Sequence, residues 1–153
     1  MNEDINELRM YRKLFVIFFA VIGMSACDRH EEVGAETCAL DFCEAFFNFR
    51  YADALKLCDD GQDGWLRIYL SNLCEADQDS VRLISERPSF DVDNVTCQGD
   101  SVATAVVNVH SVYYLEAIGK PGRFVKDGRY RLFLSKNGGA WKIRRGDLLQ
   151  SGR

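Results

Sequence analysis

The chain has 153 residues, 47% hydrophobic and 27% charged, with two prolines and a formal net charge of −4. That composition excludes a disordered, fibrous or low-complexity chain and suits one domain with a single core. The charge is uneven: residues 27–119 hold 6 basic and 18 acidic side chains (−12), and residues 120–153 hold 10 and 2 (+8). Such asymmetry suits an anion-binding surface, or an acidic half packed beside a basic half. A net-negative chain argues against nucleic acid as a partner.

Residues 14–26 (LFVIFFAVIGMSA) form an apolar run. A bilayer-crossing helix needs about 20 such residues, so this run is too short and reads as the core of a secretory signal. Arg9, Arg12 and Lys13 precede it, and Ser25, Ala26 and Cys27 close it. Three acids in residues 1–9 suit a leader poorly, whereas Met10 opens a better one, so translation is expected to start at Met10.

Met24-Ser25-Ala26-Cys27 resembles the lipobox of bacterial lipoproteins. The resemblance implies removal of residues 1–26, leaving 127 of the 153, with diacylglycerol on the Cys27 thiol and often an acyl chain on its new amine. Two or more chains anchor stably where one does not. It also implies a cell-envelope location, on the inner or outer membrane of a Gram-negative bacterium, periplasmic or surface-exposed. No other cofactor and no metal are expected. Residues 27–35 (CDRHEEVGA) are polar without clear periodicity and read as a flexible tether. The domain is expected over 36–148, with 149–153 as a tail.

Within the domain, residues 36–50 place Ala39, Phe42, Cys43, Phe46 and Phe49 at helical spacing. Residues 51–58 continue as a short second helix bearing Ala54, Leu55 and Cys58, broken by Asp59-Asp60-Gly61. Asp63 is placed to cap a third helix with a stripe of Leu66, Tyr69, Leu70, Leu73 and Cys74. Residues 81–84 add a turn. After Pro88 the period becomes two. Strands are predicted at 90–97, at 101–115 (the longest) and at 123–135, with a last one starting at Trp141-Lys142-Ile143. Asn137-Gly138-Gly139 is a hairpin turn. Ala103, Ala105, Val107, Val109, Ser111, Tyr113 and Leu115 are assigned to the core face. Helices followed by antiparallel strands make an α+β fold, the helices covering one face of a curved sheet.

The aromatic run Phe46 to Phe49, Tyr51 with Ala54, and the closing Gly139, Trp141 and Ile143 resemble the nuclear transport factor 2-like cone, whose neighbour is the cystatin-like fold. The resemblance spans about residues 35–148. It implies a cone that hosts isomerases and hydratases as well as non-catalytic binding domains, and pairing through the open sheet face as a route to a homodimer. Fold alone does not choose among these.

The residues add little chemistry. No nucleophile elbow, zinc-protease motif or phosphate-binding loop occurs. His30 falls in the tether, and His110 shares its predicted face with Asn108 and Thr104, away from the core. A bulge at 108–111 would reverse that assignment. Acids on the predicted strands are few: Asp91 and Asp93 flank the short edge strand, and Glu116 ends the long one. Trp65, Tyr69, Tyr113 and Tyr130 are candidates for a pocket mouth, or simply for the core. Arg129, Arg131, Lys142 and Arg144 are candidates for a basic ridge facing an anionic ligand or an envelope protein. Cys38, Cys43, Cys58, Cys74 and Cys97 lack metal-knuckle spacing and read mostly as buried free thiols. The expected function is a lipid-anchored, non-enzymatic binding accessory. A small cone-pocket enzyme and a dimeric scaffold are the alternatives.

Overall fold

The structure is a computed structural model that describes residues 29–73, 77, 79–80, 86–115 and 120–151. Cys27, Cys74, Glu116, the leader and the predicted turn at 81–84 lie outside the described residues.

Helix α1 covers residues 29–47. It starts about two turns earlier than the sequence pattern suggests. Its buried stripe is Ala35, Cys38, Ala39, Phe42, Cys43, Phe46 and Phe47, a 3-1-3-1-3-1 spacing that lays one apolar face on the sheet. The assignment of 27–35 to a flexible tether is therefore corrected from residue 29 onward. Ala35 is fully buried, and a Cβ built at Gly34 would come within 2.9 Å of the Trp141 ring. Only a small residue fits there. Lys136 Nζ meets Glu31 Oε1 at 2.6 Å, which ties the first turn to the sheet.

α1 stops at Phe49, which takes a left-handed conformation (φ 62°). The Phe49 N–H bonds Phe46 O at 3.2 Å and the Arg50 N–H bonds Ala45 O at 2.8 Å. These two bonds are a Schellman closure without its usual glycine. Phe49 thus leaves the helical stripe predicted for it, and its ring instead meets Tyr51 edge-on.

Helix α2, Tyr51–Leu57, buries Ala54. Beyond it Cys58 bridges in parallel to Ile143, and the Asp59 N–H bonds Ile143 O at 2.9 Å. Helix α3 runs Gly64–Ser71. Asp63 precedes it but makes no side-chain cap. Its own backbone is already helical, and its carboxylate takes Arg67 at 2.7 Å instead.

Four strands follow in the order β1-β2-β3-β4, all antiparallel neighbours: β1 Ser89–Gln98, β2 Val102–Tyr114, β3 Arg123–Asn137 and β4 Ala140–Ser151. The longest is β3, at 15 residues against 13 for β2, not β2 as the pattern suggested. The tail assigned to 149–153 belongs to β4 as far as Ser151. Gly138 (φ 58°) and Gly139 (φ 85°) form the predicted two-residue hairpin loop, where both positive angles favour glycine.

On β2 the core face holds as predicted through Ala103, Ala105, Val107 and Val109, all fully buried. At Ser111 (φ 55°) the strand kinks. Beyond it Val112 is fully buried, while Ser111 is not. His110 lies before the kink and keeps the outward side with Asn108. The core between helices and sheet mixes aromatic rings with small and aliphatic side chains, and a buried Leu→Ala or Phe→Ala truncation in such a core costs about 2–5 kcal/mol.

Candidate functional site

Phe46 is the hub of the interior. Its ring lies 4.9 Å from Tyr69, 6.0 Å from Tyr51 and 6.1 Å from Tyr130, centroid to centroid. Tyr114 closes the set at 5.8 Å from Tyr69 and 6.1 Å from Tyr130. Helices α1, α2 and α3 contribute Phe46, Tyr51 and Tyr69, and strands β2 and β3 contribute Tyr114 and Tyr130. Removal from water pushes the phenols of Tyr51, Tyr69 and Tyr130 up from their ordinary range. All three stay protonated donors at neutral pH.

Asp77 is the one fully buried charged residue among the described residues. Its Oδ1 accepts the Tyr113 hydroxyl at 2.7 Å and the Gly122 N–H at 2.8 Å. Next to it, the Tyr69 hydroxyl accepts the Leu115 N–H at 2.9 Å, and Asp77 adds to the upward push on both Tyr51 and Tyr69. A carboxylate thus marks one end of the aromatic interior, where β2 ends and β3 begins. Buried charge is costly unless it is met by donors, and here two converge on one oxygen.

Of the four aromatics named from sequence, Tyr69 and Tyr113 are brought to this polar end. Tyr130 is buried in the middle of the core. Trp65 packs on Phe42 at 5.9 Å, and its indole N–H is buried with no acceptor among the described residues. Asp77 escaped sequence reasoning. It sits in an acidic, polar run (EADQDS) that carries no motif, and its partners lie 36 and 45 residues away. The left-out signal was Tyr113 falling on the core face of β2, because a buried tyrosine hydroxyl needs an acceptor.

The outer sheet face carries both signs of charge. Arg129 is ion-paired with Asp93. The guanidinium of Arg131 lies 5.2 Å over the Phe133 ring, opposite Asp147 in register. Lys142 turns away to the end of α2, donating to Lys56 O at 2.6 Å. Arg144 is exposed beside the register shift in β4. The four predicted cations therefore do not share one ridge. Their half of the chain is neutralised by the acidic half, as Lys136–Glu31 and Arg129–Asp93 illustrate. The same face holds His110 between two carboxylates, with Nδ1 2.8 Å from Asp127 and Nε2 3.2 Å from Asp91. Among the described residues no group of three or more His, Cys, Asp and Glu is arranged to hold a metal ion.

No family profile matches the chain, and no curated protein does. Solved structures do. A ketosteroid isomerase-like protein from Erwinia carotovora atroseptica SCRI1043 superposes with a TM-score of 0.53 at 14% identity, over 76% of this chain and 92% of that one. An NTF-2 like protein of unknown function from Shewanella oneidensis MR-1 gives 0.47 at 13% identity, over 73% and 93%. At such identity the first likeness speaks for architecture and for nothing finer. With its helices packed on a four-stranded antiparallel sheet, the domain has the nuclear transport factor 2-like α+β cone fold.

Proposed function

We propose that this chain is an exported, lipid-anchored envelope protein whose cone domain binds a ligand or a partner protein rather than transforming one. The anchor rests on the lipobox at residues 24–27. The binding role rests on one observation, the cluster of packed tyrosines that meets the buried carboxylate of Asp77. Such a cluster suits a largely apolar ligand that presents one donor, an ammonium or a hydroxyl, to a fixed carboxylate. Asp77 and the Tyr69 and Tyr113 phenols would orient that group, while the rings cover the remainder. Only one carboxylate is present there among the described residues, where acid–base catalysis on a substrate commonly uses two groups with separated pKa values.

The test has two parts. Intact-mass analysis of the protein extracted from membranes should show a diacylglycerol-modified Cys27 as the first residue, and Cys27→Ala should free the protein from the membrane. Native mass spectrometry of the purified domain should then retain a small molecule that Asp77→Asn and Tyr113→Phe release. An unmodified N-terminus would defeat the anchor. A domain carrying nothing, with wild-type and Asp77→Asn indistinguishable across a ligand library, would defeat the pocket. The second reading, a small isomerase or hydratase, draws on the same Asp77–Tyr113 contact, and turnover of an enolisable carbonyl that Asp77→Asn abolishes would favour it.

A further inference from the structure

We infer that the anchored domain stands on the membrane by one pole, with the polar end of its aromatic interior at the opposite pole, facing away from the bilayer. The inference rests on the lipid-anchor reading of Cys27 and adds an orientation to it.

Its first support is that residue 29, two positions after Cys27, already belongs to α1, and two residues of chain span at most about 7 Å. The lipid is therefore joined almost directly to a rigid element. The first turns of α1 are pinned to the sheet by the partly buried Lys136–Glu31 pair, the Gly34–Trp141 approach and the bond from Cys38 Sγ to Trp141 O at 3.3 Å.

The second support is where those contacts fall. Lys136 and Trp141 flank the β3–β4 hairpin loop. The turn before β2 comes to the same end, since the Lys136 N–H bonds Ser101 O at 2.8 Å. This pole thus gathers the α1 start and two tight glycine turns. Val33 and Val102, exposed at 57% and 39%, lie beside it. The lipid chains supply the affinity, so the pole needs no net positive charge.

The third support is the length of β3. Phe124 pairs with Tyr113, the residue bonded to Asp77, and Lys136 is at the other end. The stretch between them is about 40 Å of strand at 3.3 Å per residue. A ligand for the Asp77 end would then arrive from the aqueous side and not by lateral entry from the lipid.

Site-specific quenching tests the orientation. The full chain carrying Asp100→Cys (the hairpin pole) or Lys120→Cys (the Asp77 pole) is labelled with an environment-sensitive fluorophore. Each is reconstituted in phosphatidylethanolamine–phosphatidylglycerol vesicles with nitroxide headgroup lipids, the unsubstituted chain giving the background from native thiols. The expected result is strong quenching at position 100 and none at 120. Equal quenching at both, or the reverse order, overturns the orientation while leaving the anchor intact. Intact mass read on the same samples separates the two readings, because an unlipidated Cys27 overturns both together. A flexible glycine–serine insert after Asp28 should erase the difference between the two positions. If the difference survives, the short junction is not its cause and the inference fails.

Discussion

Tyr113 donates its phenolic proton to Asp77 across 2.7 Å, with both residues buried. The bond joins β2 to a helical residue 36 positions earlier in the chain. Removing the hydroxyl takes one donor from the Asp77 oxygen that also accepts the Gly122 N–H. Tyr113→Phe should therefore lower stability by about 2 kcal/mol, the scale of a buried hydrogen bond to a charged group. Urea titration reads this as a lower midpoint at unchanged slope. A loss of a few tenths would mean that water already reaches Asp77.

Two glycines police the same interior by space and not by backbone angle. A Cβ at Gly122 would fall 2.8 Å from Tyr113 Cζ, and one at Gly146 would fall 2.7 Å from Tyr130 Cζ. Both rings are buried, so neither can swing aside. Gly122→Ala and Gly146→Ala should each cost about 1–3 kcal/mol by overpacking. Gly61→Ala is the comparison, since its Cβ would meet nothing within 4 Å and its cost is only that of φ 79°. A thermal melt that ranked Gly61→Ala far above the other two would refute the packing argument.

Much of this architecture was legible before any coordinates. Alternation on β2 gave the buried Ala103-to-Val109 face, and Gly138-Gly139 gave the hairpin, because period and turn chemistry are local properties. The α1 start is hard to read because residues 29–32 are polar, and a mostly exposed first helical turn looks like tether. Yet Ala35, Cys38 and Ala39 continue the Phe42 stripe backward at the same spacing, a signal that small residues made faint. The Ser111 kink had no local signature at all, since serine has no preference for φ 55° and its hydroxyl bonds Glu86 at 2.6 Å, 25 residues away in the chain. Asp77 was invisible for a related reason. Its value lies in Tyr113 and Gly122, which only the fold brings near.

His110 gives the pH prediction. Its bond to Asp127 is the largest influence on its pKa; burial opposes it, and the bond to Asp91 with the charges of both acids leaves the pKa raised above the ordinary 6.5. From the neighbouring strands it faces Asp91 on β1 and Asp127 on β3, and Asn108 on its own strand bonds Asp91 at 2.8 Å. A raised folded pKa stabilises below the unfolded value, and that contribution fades as pH rises through the folded value. Asp91 has the opposite sign. Its pKa is lowered, first by Asn108 and also by His110, so its contribution is lost as pH falls below the carboxylate range. The His110→Gln deficit should thus be present at pH 5–6 and vanish by about pH 9. It should stay below about 1 kcal/mol because all three groups are solvent-exposed. Denaturation of the two proteins across that range checks it, and a deficit that grows toward pH 9 would contradict the sign.

The buried thiols offer the last test, one that reads the packing of α1 and α2 directly. Cys38, Cys43 and Cys58 are free and buried. Burial, ahead of the nearby acid Asp41, pushes Cys38 up to about 11. Burial ahead of Asp63 takes Cys58 to about 12, and burial alone raises Cys43. Since the thiolate is the reactive form, all three should resist iodoacetamide at pH 8 twice over, by access and by ionisation. Peptide mapping after native labelling should find these three unmodified, and all three modified once guanidinium unfolds the chain. Cys38 is the informative member, because its Sγ bonds Trp141 O at the junction of α1 with β4. Selective native labelling of Cys38 would mean that the first turns of α1 lift off the sheet, which would restore a flexible link between Cys27 and the domain. Protection of Cys38 equal to that of Cys43 keeps the junction rigid, as an upright anchored domain requires.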